Sequence, residues 1–336
     1  MKKTIVSFLL ILTFLTFCQQ DRGRVITVNG AIEKDVLGLT LPHEHIMVDF
    51  IGADSTGRHR WDREEVVVRV LPYLQEASGL GIRTLVECTP AYLGRDPVLL
   101  QKLSKESGLN ILTNTGYYGA VQNKYLPDNV FEISADELAS MWIEEFTNGI
   151  GETGIRPGFI KIAVARDDTL SSVHKKLVRA AARTHLATGL TIMSHTGPAA
   201  PGRQQLKLLE EEGVSPDAFI WTHAQHASKE EHVELAEKGA WVSLDNAKAD
   251  SSHVQMFVEN IVYLKEKNVL DRVLISHDAG WYSVGEPGGG AFRPYTAVQE
   301  NVLPALRRRG FDDNDIHQLT VTNPAHAFTL KVRAAK

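Results

Sequence analysis

Eight short apolar runs constrain this chain more than any other feature, because each is followed by a turn, an amphipathic segment and often a glycine before the next run begins. The first covers residues 39–45, and the others lie near 82–87, 111–118, 159–165, 190–195, 219–223, 240–244 and 273–276. Apolar periodicity predicts helices near 64–78, 97–107, 135–147, 173–188, 203–212, 230–238, 254–267 and 297–308. Gly108, Gly189, Gly213 and Gly239 stand where helix C-caps belong. Runs with so little polar alternation suit strands covered on both faces, as in parallel sheets. Eight such units in 336 residues point to an α/β fold of the (β/α)8 TIM-barrel type. The competing open, doubly wound sheet requires a glycine-rich phosphate loop after its first strand, and here that strand ends in His43-Glu44-His45. Upstream, residues 25–32 alternate around Asn29-Gly30, which predicts a short N-terminal β-hairpin covering one end of the core.

Met1-Lys2-Lys3 followed by an apolar run over 5–17 has the form of an export signal, too short to span a bilayer comfortably. Phe17 fits ordinary signal cleavage poorly. Leu15, three residues before Cys18, instead fits a relaxed lipoprotein signal, so 1–17 is expected to be removed and Cys18 to be the lipidated first residue. Residues 18–24 would then form a tether and 25–336 the barrel, on an exported protein anchored to a bacterial membrane, periplasmic or surface-facing. Cys88, the second of the two cysteines, ends an apolar run and reads as packing. A net charge of −5 with no basic stripe excludes nucleic acid as a partner. The glycine-rich segment 285–290 follows the last strand, where a mobile loop could cover an active site.

Active sites of such barrels form at the C-terminal ends of the strands. His43 and His45 share one face of an extended strand, with Glu44 on the other. Lys161 sits in the fourth run, His195 ends the fifth, His223 ends the sixth, and Ser276-His277-Asp278 ends the eighth. Five such side chains and a lysine exceed what one zinc takes, and suit two metal ions. Lys161 as an ammonium has no free lone pair. Reacted with carbon dioxide it becomes a carbamate, whose two oxygens can bridge two metals roughly 3.5–4 Å apart; the alternative is a lysine paired with a carboxylate.

The motif Leu41-Pro42-His43-Glu44-His45, together with Lys161, His195, His223 and Ser276-His277-Asp278, resembles the phosphotriesterase family of the amidohydrolase superfamily, including its lactonase group. The resemblance extends in order and spacing over essentially the whole mature chain. It implies a binuclear centre, with zinc the expected metal: His43, His45 and Asp278 on the buried ion, His195 and His223 on the exposed one, carboxylated Lys161 on both, and a hydroxide between them. The chain departs from that pattern at two places. His226 stands where bacterial relatives commonly have Asp, and Asn246 rather than histidine follows Asp245. The proton relay behind the metal aspartate is therefore absent or rebuilt, with Asp278 as proton acceptor and His226 as the candidate second member. Tyr117 and Tyr118 could wall the substrate pocket. The expected activity is hydrolysis of a small molecule, a lactone or other carboxylic ester, by a possible homodimer. Amide (N-acyl amine) and phosphotriester hydrolysis are the alternatives, and an inactive surface-anchored binding protein is the alternative of another kind.

Overall fold

A computed structural model of the chain describes residues 21–335. The expected export signal, Cys18 and the first part of the expected tether lie outside the described residues. From Asp21 onward the chain is docked: this carboxylate is 5% exposed and pairs with Arg24 at 3.4 Å and Arg156 at 2.7 Å. The hairpin follows as β1 (Arg24–Thr27) and β2 (Gly30–Glu33), with Thr27 opposite Gly30, so the turn residues are Val28 and Asn29, one position earlier than the Asn-Gly signal suggests. Val28 N–H donates to the Ile111 carbonyl, and Val25 packs with Phe159, Ile220 and Phe328 across the closed end of the barrel.

The barrel is built from parallel strands, as the apolar runs require. In chain order these are β3 (Thr40–Glu44), β4 (Met47–Val48), β5 (Thr84–Glu87), β6 (Asn110–Leu112), β7 (Asn114–Thr115), β8 (Phe159–Ala163), β9 (Ile192–His195), β10 (Phe219–Thr222), β11 (Trp241–Leu244), β12 (Val273–Ile275) and β13 (Tyr282–Ser283). They pair in the orders β3-β5-β6 and β7-β8-β9-β10-β11-β12, with β4 beside β13. The run expected as one strand over 111–118 is interrupted at Thr113, so β6 pairs with β5 while β7 pairs with β8. Closure between the last and first strands rests on Glu44. Its buried carboxylate accepts from Ser276 Oγ at 2.6 Å, His277 Nδ1 at 2.6 Å, His277 N at 3.0 Å and Ala279 N at 2.8 Å. Burial pushes this carboxyl up, but His277 and the other donors outweigh burial and hold it below the usual range.

Helices coat the ring where periodicity places them, among them Arg63–Gly79, Pro97–Ser107, Ala135–Asn148, Ser172–Thr188 and Ser251–Glu266. The segment expected as one helix over 297–308 instead begins as a π-turn, Val298–Val302, and becomes α-helical only over Leu303–Arg308. Pro304 supplies no N–H there and breaks the regular ladder. The segment 285–290 does not reach the strand-end histidines. It lies against the helix Arg63–Gly79, where the Gly290 carbonyl accepts from Arg69 and Gly289 packs on Tyr282. Cys88 is buried with its sulfur 3.4 Å from Met193 Sδ, and burial pushes its thiol up, as packing demands.

Candidate metal centre

Strand alternation aims most of the centre. On β8, Phe159 and Lys161 face the barrel interior while Ile160 and Ile162 face the helices, and on β9 Met193 and His195 share the interior face. β3 carries one extra residue against β5 between Leu41 and Glu44. This bulge switches parity, so Leu41 packs outward while His43 and His45 point inward. His223 would fall on the outer face with Phe219 and Trp221, yet its backbone turns left-handed at φ 59° and brings the ring in. Asp278 does the same at φ 53°. Non-glycine residues held in this region cost about 1–3 kcal/mol each and persist where the surroundings demand them. Two glycines give the necessary room: a Cβ on Gly116 would lie 2.1 Å from the Lys161 carbonyl oxygen, and one on Gly280 would lie 1.8 Å from that of His45.

The structure thus brings together all six ligand candidates. His43, His45, Lys161 and His223 are 1–6% exposed, and the Asp278 side chain is 24% exposed. His43, His45 and Asp278 place ligand atoms within 4.8 Å of one another, as do His43, His223 and Asp245. Lys161 Nζ is 3.4 Å from His43 Nε2, and His195 Nδ1 is 2.7 Å from His223 Nε2.

Each imidazole is held by its other nitrogen. Asp245 Oδ2 takes His43 Nδ1 at 2.8 Å, and Asp245 Oδ1 takes His223 Nδ1 at 2.7 Å. Thr89 Oγ1 engages His45 Nδ1 at 2.8 Å, and Tyr118 Oη engages His195 Nε2 at 3.2 Å. Asp245, which can only accept, fixes His43 and His223 with Nδ1–H and leaves their Nε2 lone pairs directed at the centre, and the Thr89 and Tyr118 hydroxyls can accept from His45 Nδ1 and His195 Nε2 in the same way. Asp245 also accepts the His223 backbone N–H at 3.0 Å, Gln225 Nε2–H at 3.1 Å and the Ser243 hydroxyl at 3.2 Å, so its oxygens orient the groups around them. Burial tends to raise this carboxyl, but His223 and His43 outweigh it and hold it well below the usual carboxylate range. Burial, with the Lys161 charge second, lowers His43 to about 4 and His45 well below its ordinary value. Burial and then His223 do the same to His195, so these rings stay neutral at working pH. Asp278 is pushed up by burial, and its buried Oδ1 has no hydrogen-bond partner although it lies 3.1 Å from His45 Nε2 and 3.8 Å from His43 Nε2. Ring nitrogens and a carboxylate oxygen converging to this distance are the arrangement a cation satisfies.

Several residues fall differently from expectation. Tyr118 joins the centre, but Tyr117 turns away and packs edge-on against Tyr92 and Trp142, lining a separate cavity of about 360 Å³ with Arg95 and Glu145. His226 makes no hydrogen bond with Asp278; its Nε2 accepts from Arg166 at 3.3 Å, and burial and then the Arg166 charge lower its pKa. The orienting role of Asp245 escaped the sequence pattern, although it ends the seventh apolar run just as His195 and His223 end theirs. Thr89 carries no such signal, because it stands in a loop.

Comparison with known proteins agrees with this geometry. Residues 23–328 match the model of the phosphotriesterase family. An organophosphorus hydrolase from Deinococcus radiodurans superposes with a TM-score of 0.82 at 30% identity, over 92% of this chain and 97% of that one. An aryldialkylphosphatase of Saccharolobus solfataricus is 28% identical over 89% of this chain and 97% of its own length. An N-acetyltaurine hydrolase of Salmo salar is 25% identical over 92% and 99%. With paired clusters of metal-ligating side chains at the strand ends of a (β/α)8 barrel, the chain belongs to the phosphotriesterase family of metal-dependent hydrolases, within the amidohydrolase superfamily.

Proposed function

We propose that this enzyme hydrolyses an amide, releasing an amine from an N-acyl amine. The observation that carries this reading is the hydroxyl of Tyr118. Tyr118 Oη stands 3.2 Å from His195 Nε2, and in the His195 tautomer that leaves Nδ1 for a metal the Nε2–H donates to it, so the phenolic O–H is free to donate at the edge of the centre; burial pushes its pKa up, so the phenol stays protonated at working pH. An amide nitrogen departs only once protonated, whereas an aryl phosphotriester releases a stable oxide that needs no donor. The full-length similarity to an N-acetyltaurine hydrolase supports the same choice and favours it over the lactone or ester expected from the sequence. A phosphotriester is the second reading, supported by the organophosphorus hydrolase and aryldialkylphosphatase relatives and opposed by Asn246 after Asp245.

In this reading His43, His45 and Asp278 would hold one divalent ion, His195 and His223 the other, and a carbamate on Lys161 both, with zinc the natural choice for imidazole-rich sites. Such a pair supplies, when bound, hydroxide near neutral pH and polarisation of the acyl oxygen. Asp278 takes the proton of the attacking water, and Tyr118 donates toward the substrate. Asp245 and Thr89 keep the histidine lone pairs on target throughout. The test is a screen of the zinc-loaded barrel against N-acyl amines, lactones and aryl phosphotriesters. Amides should give the highest kcat/KM, and preference for a lactone or phosphotriester would overturn the assignment.

A further inference from the structure

Two guanidinium groups stand at the rim of the centre without carboxylate partners. Arg166, five positions beyond Lys161, donates to His226 Nε2 at 3.3 Å and lies so close over Gly197 that a Cβ there would meet its Nε at 3.4 Å. Its charge reaches the Tyr118 phenol. Arg293 donates to the Asp278 carbonyl oxygen and stacks 5.6 Å from the ring centre of Trp281, and its charge reaches His45 and Asp278. Both side chains are exposed, and among the described residues neither has a carboxylate within ion-pair distance. Arg60, Arg63, Arg95, Arg203 and Arg333, by contrast, each hold an Asp or Glu at 2.6–3.1 Å. The rim arginines are therefore fixed in position by neutral acceptors, a ring nitrogen in one case and a carbonyl with an aromatic face in the other. Their positive charge is left uncompensated. Guanidinium held this way is suited to a planar or tripodal oxyanion, since its fork of N–H donors matches carboxylate and sulfonate oxygens. Neutral lactones and phosphotriesters offer these donors only an uncharged oxygen, whereas a carboxylate or sulfonate also answers the charge.

We propose that Arg166 and Arg293 form an anion subsite, so that the substrate is an N-acyl amine carrying a carboxylate or sulfonate. This rests on the amide reading above. Arg166 is the principal contact, on the side of His195 and Tyr118, and its bond to neutral His226 leaves its remaining N–H groups for the substrate. Arg293 adds to the attraction from the side of Asp278 and His45. His226, in this arrangement, positions the guanidinium rather than carrying a proton for Asp278.

The experiment compares N-acetyl-β-alanine, its sulfonate counterpart and neutral N-acetylpropylamine as substrates of the zinc-loaded enzyme. Propanoate and propanesulfonate serve as ligands in calorimetry. The anionic amides should exceed the neutral one in kcat/KM by about ten- to a hundredfold, the range of a charge-assisted contact, and the advantage should shrink as salt is raised. The carboxylate-to-sulfonate ratio says which anion the subsite favours. Arg166→Ala should lower the anionic-to-neutral ratio by about tenfold, chiefly through KM, and Arg166→Glu should lower it further. Equal kcat/KM for anionic and neutral amides, or a ratio unmoved by both Arg166 variants and by Arg293→Ala, overturns the subsite while leaving the amide reading intact. If no amide is hydrolysed, the amide reading fails. The subsite is then judged by calorimetry alone: propanesulfonate or propanoate binding that is lost in Arg166→Ala upholds it, and no binding in the unaltered enzyme overturns it.

Discussion

Replacing Asp245 with asparagine is the sharpest test of how the centre is held. The carboxylate receives four N–H groups, His43 Nδ1 at 2.8 Å, His223 Nδ1 at 2.7 Å, His223 N at 3.0 Å and Gln225 Nε2 at 3.1 Å, together with the Ser243 hydroxyl at 3.2 Å, and is fully buried. Asparagine keeps the size but offers one oxygen and one NH2, so at least one imidazole N–H must face another donor. The ring can escape only by moving its proton to Nε2, into the position of the lone pair that a metal needs. Loss of one charge-assisted bond costs about 1.5–3 kcal/mol, and loss of an outer partner of a ligating histidine costs about 10–100-fold in metal affinity. Asp245→Asn should therefore unfold roughly 2 kcal/mol more easily as the metal-free protein and bind at least one of two zinc ions about 10–100-fold more weakly. Denaturant unfolding and competition with a chromophoric chelator measure the two effects separately. If the variant binds both ions as tightly as the unaltered chain, Asp245 does not orient the ligands and the tautomers assigned to His43 and His223 are wrong.

Other consequences can be checked in the same protein. Lys161→Ala should abolish most bound metal and activity, and bicarbonate should speed reconstitution of the unaltered apoprotein; full activity with two metals in Lys161→Ala would exclude a carbamate bridge. His226→Ala should raise KM by freeing Arg166 and leave the pH profile of kcat in place, whereas a fall in kcat with an altered profile would restore the proton-relay role. Glu87 is 1% exposed and raised by burial from 4.5 to about 7, despite donors at Thr89 and Ile46 N. Between those values the folded chain holds a proton that the unfolded chain has released, so this stabilisation is complete below about pH 4.5 and is lost as pH rises through 7. Glu87→Gln should accordingly flatten the loss of stability of the metal-free protein between pH 5 and 8, an effect of at most about 3 kcal/mol; an unchanged slope would mean that Glu87 is ionised throughout. For the expected anchor, Cys18→Ala should move the exported protein from the detergent phase to the aqueous phase, and an unaltered chain that already partitions into water would exclude lipidation.

Apolar runs that end in His, lead into Asp or carry a lysine in their middle determined the barrel and its six ligand candidates from sequence alone. Strands buried on both faces leave an unbroken apolar record, and their C-terminal ends are where a barrel puts polar side chains to use. Where the pattern is strictly periodic it carried over to the structure, as in the inward pair Phe159 and Lys161 on β8. Tertiary structure decided the rest, because it depends on contacts between residues far apart in the chain. The bulge in β3 lets the face shared by His43 and His45 point inward although Leu41 packs outward, and the left-handed turn at His223 brings in a ring that alternation from Phe219 and Trp221 would leave outside. Alternation puts Glu44 on the face opposite the histidine pair without saying what it meets there, and it closes the barrel against residues 276–279, more than two hundred positions away. Adjacent Tyr117 and Tyr118 part to opposite sides of β7's extension, one into a separate cavity and one onto His195. His226 meets Arg166 across sixty residues, so its partner, and with it the charge at the rim of the centre, could not be read from its neighbours in sequence.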